Sequence, residues 1–564
     1  MKTLLKNGTV INVFTGETEK SNVLIENDKI IGVGDYSDAD ADCVEDISGK
    51  YVCPGFIDGH IHIESSMLLP AEFARVAAVH GTTAVVADPH EIANVCGSEG
   101  IQFMLDASEN LPLTVYVMVP SCVPATRFDE SGACLEAEDI EPFYAHPRVL
   151  GLAEMMDYFS VIHQDESVMK KIAGARKHGL TINGHAPLLS GRDLDKYIAA
   201  GIRDDHECSS AQEAIERIKK GQRVMIRQGT AARNLEGLLP LFEEPFAHRC
   251  LLVTDDKHPA DLIAHGHIDS IIKSAAEHGK SAITGIRMAT IWAAENFGLK
   301  EVGAVAPGYQ ADILVLDDLD SVSVKDVYCK GKKVVSDGEG ISFENPTVDK
   351  EMKEHICHSF HLDPLSEKDF HIEQTGTAKS RVIGLIKNQL LTEEKIEDID
   401  FAKNNGIDID RDILKLAVVE RHSATGHIGL GFIQGIGLQK GAIAASVSHD
   451  SHNLIVIGTN EKDMAFAANR IRELGGGMIV VNEEAVIAQM PLPYAGLMTD
   501  VSAQEAAEQN EAVRSSVYCL GVPEDIEPFM TMAFVSLSVI PHIKMTTKGL
   551  IDVDRQELVP LIAE

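Results

Sequence analysis

Val52-Cys53-Pro54-Gly55-Phe56-Ile57-Asp58-Gly59-His60-Ile61-His62 is an apolar run that ends in two histidines one residue apart. On an extended strand alternate side chains share a face, so His60 and His62 point the same way. Seven further apolar runs follow, at 84–87, 115–119, 149–152, 180–182, 202–203, 224–226 and 250–253. Helical periodicity fills the gaps between them, most clearly at 70–80 and 166–178. Eight β-α alternations over 51–302 predict an α/β fold built on a parallel (β/α)8, TIM-like barrel.

The residues after each run carry the chemistry. The second run ends in Asp88-Pro89-His90-Glu91, the fourth in Glu154, the fifth in His185, the sixth in His206 and the eighth in Asp255-Asp256. Side chains at the C-terminal ends of barrel strands converge on one mouth, whereas the packed interior calls for Val, Ile and Leu. One buried histidine alone reads as a hydrogen-bonded core residue. His60, His62, Glu154, His185, His206 and Asp255 together predict a metal site. A donor set of imidazole nitrogen and carboxylate oxygen without thiolate suits Mn²⁺, Fe²⁺ or Zn²⁺. Asp88, His90, Glu91 and Asp256 stand beside those ligands and are candidates for holding substrate.

Short strand-like runs fill 1–50 and return at 303–345, which predicts one composite β-domain assembled from both flanks of the barrel. From 346 to 564 strand runs (382–385, 442–446, 454–457, 478–481) mix with a helical stretch at 462–473, predicting a C-terminal α+β domain. Within it, Ser448-His449-Asp450-Ser451-His452-Asn453 reads either as a polar turn or as a lid over the active site of its own or a neighbouring subunit.

Composition narrows the function classes. The 564 residues carry 50 Lys+Arg against 86 Asp+Glu, a net charge of −36 that disfavours nucleic acid and anionic membrane as partners. The ten cysteines form no C-x-x-C pair, against a zinc ribbon or a thioredoxin-type site. No apolar stretch approaches a membrane span, and the N-terminus lacks a secretory pattern, so a cytoplasmic protein is expected; a homo-oligomer is a separate expectation. Other motifs fail: His62-Ile63-Glu64 lacks the P-C-x-x-C of zinc nucleobase deaminases, and His90-Glu91 meets Asn94 where H-E-x-x-H needs histidine.

The paired histidines, His185, His206, Asp255 and the split β-domain resemble the amidohydrolase superfamily. Asp88-Pro89-His90-Glu91-Ile92-Ala93-Asn94, Ala153-Glu154-Met155-Met156, Asn183-Gly184-His185-Ala186-Pro187, Val253-Thr254-Asp255-Asp256 and the 448–453 segment narrow the resemblance to its adenine deaminase family along essentially the whole chain. The flanking β-domain would then be a composite β-sandwich. Many binuclear relatives carry a carboxylated lysine after strand four; here Glu154 stands there and can bridge directly. The resemblance implies two divalent metals, Mn²⁺ or Fe²⁺ before Zn²⁺, and a small-molecule substrate, adenine, converted to hypoxanthine and ammonia in purine salvage. Glu154, His206 and Asp255 are the expected catalytic residues, with Asp255 moving a proton to the leaving amine. The alternatives are an amidohydrolase acting on a cyclic amide or another nucleobase, and a non-catalytic barrel.

Overall fold

The structure is a computed structural model that describes residues 1–230, 232–387 and 389–563. At Gly55 the apolar run 52–57 divides between two sheets. Tyr51–Pro54 pairs antiparallel with Ile313–Asp318, while Phe56–Ile61 opens the barrel. A Cβ on Gly55 would lie 2.1 Å from Thr83 Oγ1, so a residue without a side chain lets the chain cross from one sheet to the next.

Phe56–Ile61, Thr82–Ala87, Thr114–Val119, Val149–Met155 and Thr181–Gly184 form one parallel arc; Asp204–Asp205, Arg223–Arg227 and Cys250–Val253 form a second. The arcs meet at both edges. Arg203 donates its N–H to Ile182 O at 3.2 Å, and Asp255 donates its N–H to His60 O at 3.0 Å. This is the TIM-like α/β fold. The sixth strand begins immediately after the predicted run at 202–203, on a pair of buried carboxylates. Asp204 accepts from the Asn183 amide at 2.8 Å and from the Gly184 N–H at 3.1 Å. Asp205 accepts from the Ala186 N–H at 3.0 Å and pairs with buried Arg217 at 3.3 Å. With those partners in place, charge can occupy a buried strand.

The barrel floor is apolar: Ile57, Ala84, Val86, Met118, Ala153, Met225, Leu251 and Val253 pack in one cluster. The histidines and most of the buried carboxylates gather at the other end. The predicted helix at 166–178 forms as Glu166–Lys177. Asp165 caps it by accepting from the Ser167 and Val168 N–H groups, and its buried face is Val168, Lys171, Ile172 and Ala175. Losing such a cap costs about 1 kcal/mol.

Strands from both ends of the barrel segment share one nine-stranded sheet, in which Tyr51–Pro54 lies between Lys2–Asn12 and Ile313–Asp318. The C-terminal segment forms an eight-stranded sheet. Helix Glu461–Leu474 covers one face of it, placing Met464, Ala467, Ala468 and Ile471 against Ala417, Val419, Ala444 and Val456. The alternate residues Leu414, Leu416 and Val418 face the other way, into a core continuous with Ile92, Phe103 and Val119 of the barrel segment. The C-terminal segment is thereby pressed onto the barrel mouth. Among the described residues no helix is long and apolar enough to cross a membrane.

Candidate metal centre

Asp58 sets the mouth. Its carboxylate accepts from the His60 N–H at 3.2 Å, from the Thr254 N–H at 3.2 Å and from the Thr254 hydroxyl, locking strand one to strand eight. Gly59 makes the approach possible, since a Cβ there would meet Leu251 Cδ1 at 2.4 Å. Asp255 itself takes a left-handed backbone conformation, φ +60°, which turns its carboxylate toward the paired histidines. Aspartate tolerates that region better than most residues.

All six predicted ligands are buried and converge. His60 Nε2 and His62 Nε2 lie 3.8 and 3.3 Å from Glu154 Oε1, and 3.7 and 3.2 Å from Asp255 Oδ1. The second Glu154 oxygen faces a different pair: Oε2 is 2.7 Å from His185 Nδ1 and 3.1 Å from His206 Nε2. One carboxylate is thus divided between two imidazole sets. Three groups of donor atoms, each within a 4.8 Å span, overlap here: His60, Glu154 and His206; His60, His62 and Asp255; and His62, Asp88, His90 and Glu154.

The residues fit a divalent metal by an independent criterion. His60 Nε2, which faces Glu154 and Asp255, is a buried ring nitrogen without a hydrogen-bond partner. Buried polar atoms are rarely left so, and a lone pair aimed at a cation is the ordinary resolution. The other nitrogen of His62, Nδ1, lies 3.0 Å from Asp88 O, the outer contact that fixes ring orientation in metal sites.

The candidate substrate residues divide. Asp88 and His90 enter the cluster: His90 Nδ1 lies 3.1 Å from Asp88 Oδ2 and 3.5 Å from Glu154 Oε1, nearly as close as His62. Glu91 and Asp256 sit one layer out, joined through the Ser65 hydroxyl at 2.6 Å from each. Two residues escaped the sequence reading. Glu207 Oε1 is 3.7 Å from His185 Nδ1 and 3.4 Å from His206 Nε2. Arg227 Nη1 donates to Asp255 Oδ2 at 2.6 Å, and its Nη2 to Glu207 Oε2 at 3.1 Å. A signal existed for both, since Glu207 follows a predicted ligand and Arg227 closes an apolar strand run at the mouth.

Electrostatics follow from burial against pairing. Burial disfavours a charged His60, and neighbouring His206 adds to this, so its pKa falls well below 6.5. Burial opposes ionised Glu154, but His206 and His185 outweigh it and hold the carboxyl well below its ordinary value. Asp255 behaves alike, with Arg227 the strongest counterweight to burial. Asp256 lacks such a partner; burial and the adjacent Asp255 push it up to about 6. The other imidazoles of the cluster go the opposite way: burial lowers them, but Asp255, Glu154 and Glu207 outweigh it and raise His62 and His185 above 6.5 and His206 to about 9, so a bound cation would have to displace those protons.

The 448–453 segment is no surface turn. All six of its residues are buried, and within this one chain they close on the barrel mouth. His449 Nδ1 lies 3.7 Å from Glu91 Oε1, and His90 Nε2 lies 3.5 Å from Asp450 Oδ1. His449 stacks on Phe534, with ring centroids 4.4 Å apart. Leu390, Phe534, Leu537 and Ile540 complete an apolar roof over a cavity whose floor holds His62, Glu154, His185, His206 and Asp255.

A TIM-like barrel with this cluster at its mouth defines the class, a metal-dependent amidohydrolase, and residues 51–334 match the amidohydrolase family. Residues 389–557 match the adenine deaminase C-terminal domain. The adenine deaminase of Desulfatibacillum aliphaticivorans is 44% identical over 561 residues, covering 99% of this chain and 96% of that one. Adenine deaminase 2 of Carboxydothermus hydrogenoformans is 45% identical with the same coverage of 99% and 96%. The chain belongs to the adenine deaminase family. Its buried His, Asp and Glu groups make a divalent metal site.

Proposed function

We infer that this protein hydrolyses adenine to hypoxanthine and ammonia. The observation that carries the reading is the continuity of the adenine deaminase match through both the barrel and the segment that roofs it. We assign His60, His62, Glu154, His185, His206 and Asp255 as ligands of two divalent ions, with Glu154 bridging. The division of its two oxygens between separate imidazole sets supports that role. The donors are nitrogen and oxygen only, which suits Mn²⁺, Fe²⁺ or Zn²⁺, and the family resemblance favours the first two. Bound metal supplies Lewis acidity and makes water acidic enough to yield a proton near neutral pH.

The chain's own groups do the remaining work. Attack of water on the purine C6 forms a C–O bond, and collapse breaks the C–N bond to the amino group. Asp255 receives the proton of the attacking water and delivers it to the departing amine, because an unprotonated amide ion cannot leave. Arg227 holds Asp255 Oδ2, so Oδ1 keeps its aim toward His60 and His62. His206 presents Nε2 to Glu154 and Glu207, and it would act in catalysis as a ligand of the metal site. Asp256, pushed up to about 6, lines the cavity with His90, and Glu91 backs it through the Ser65 hydroxyl.

We also propose the division into a composite β-domain (1–50 and 303–345, a β-sandwich unit), a barrel domain (51–302) and a C-terminal domain (346–564), supported by the sheet shared between both flanks. A homo-oligomer in the cytoplasm completes the reading. Ammonia release from a panel of purines, pyrimidines and cyclic amides after Mn²⁺ or Fe²⁺ reconstitution tests it. Adenine should be turned over fastest and well ahead of adenosine. A cyclic amide as the best substrate would overturn the assignment.

A further inference from the structure

We propose that Asp450, on the C-terminal segment, is the residue that recognises the imidazole-ring N–H of the purine and thereby selects a free base over its N9-substituted forms. This rests on the adenine reading above and names the group that enforces it.

Asp450 is buried and lines the cavity beside the metal cluster. Its two oxygens are not equivalent. Oδ1 is approached by His90 Nε2 at 3.5 Å and by His449 Nδ1 at 3.6 Å, whereas Oδ2 is buried without a partner. An ionised carboxylate only accepts, so an orphaned Oδ2 calls for a donor. Among the described residues no side chain supplies one.

The rest of the cavity states what kind of molecule would bring it. Leu390, Phe534, Leu537 and Ile540 form an apolar wall, and the His449 ring lies stacked on Phe534 at an interplanar angle of 17°. That surface suits a flat heteroaromatic ring, while polar groups are confined to its edges. Placing the reacting carbon at the cluster fixes the orientation of such a ring. Asp450 stands one imidazole away from Glu154, through His90, on the side where the far edge of a purine would reach. The far edge of adenine carries its single ring N–H. A nucleoside has lost that hydrogen and carries a sugar in its place, so a buried carboxylate would be left unpaired against it. Sites built to receive a hydrogen bond reject analogues that lack the donor far more strongly than apolar pockets reject extra bulk.

The test compares wild type, Asp450→Ala and Asp450→Asn, each reconstituted with Mn²⁺, by metal content, adenine kinetics and calorimetric binding of hypoxanthine and 9-methylhypoxanthine. Failure of wild type to release ammonia from adenine strikes the functional reading, not Asp450, because the binding arm still reads the N–H preference. Asp450→Ala should keep its full metal complement. Its kcat/KM for adenine should fall roughly 10- to 100-fold, mostly through KM, and its preference for hypoxanthine over 9-methylhypoxanthine should collapse by a similar factor. If the alanine variant does not fold, the isosteric asparagine variant carries the same comparison and should fall between. Three results overturn the proposal: loss of metal in either variant, a loss of affinity equal for both ligands, or no change in either.

Discussion

At the scale of single residues, Asp255 and Glu154 do different work with the same functional group. Asp255 has one oxygen bound by Arg227 and one facing His60 and His62. Asp255→Asn keeps size and one acceptor oxygen but cannot take a proton at neutral pH. Turnover should therefore fall at least ~10²-fold while metal stays bound. A fully metallated variant within a few-fold of wild type would remove the proton-transfer role. Glu154 faces imidazoles with both oxygens. If Glu154 bridges as proposed, Glu154→Gln deletes a negative charge between two cations without changing shape, and metal content at limiting Mn²⁺ should drop. Unchanged metal by elemental analysis would exclude it as a ligand. Both residues were legible in the sequence because each follows an apolar run. Glu207 and Arg227 were passed over because their meaning lies in partners on other strands, Asp255 for Arg227 and the His185–His206 pair for Glu207.

At the scale of elements, the roof depends on a buried lysine. Lys544, on strand Ile543–Thr546, donates to Leu390 O at 2.9 Å and to Phe534 O at 3.1 Å, clasping two residues of the cavity wall. Burial pushes its pKa down to about 7 from 10.5. Between those values the unfolded chain binds the extra proton, so stability rises as pH climbs from 7 toward 10. Below pH 7 both states are protonated and this contribution is flat. Lys544→Met should flatten that rise in urea midpoints measured from pH 7 to 10. An unchanged slope would show that Lys544 keeps its proton when folded. Strand and helix runs of the C-terminal segment were readable from periodicity, with the helix predicted at 462–473 forming as Glu461–Leu474. The strand at Asp204–Asp205 was not, since its acidic residues look like loop until Asn183, Gly184, Ala186 and Arg217 satisfy them.

At the scale of the whole molecule, the proposed ligands come from strand ends all around the barrel, so bound metal should hold those strands together. Chelation should lower Tm, and Tm should climb again with added Mn²⁺, since occupancy at 100 times Kd adds about 2.7 kcal/mol. A Tm indifferent to Mn²⁺ would place the stability elsewhere. The sequence by itself determined the eight runs, the six ligand types at their ends and the textures of the flanks. Those features are local: apolar periodicity fixes the element, and the residue after a strand is carried to the barrel mouth by the strand itself. Only the tertiary structure decided that Glu154 is shared between two imidazole sets, that Arg227 holds Asp255, and that Asp450 and His449 descend on His90 and Glu91. Those meetings join residues far apart in the chain, and their placement follows from the sum of packing between the C-terminal sheet and the barrel, a quantity that no single stretch of sequence contains.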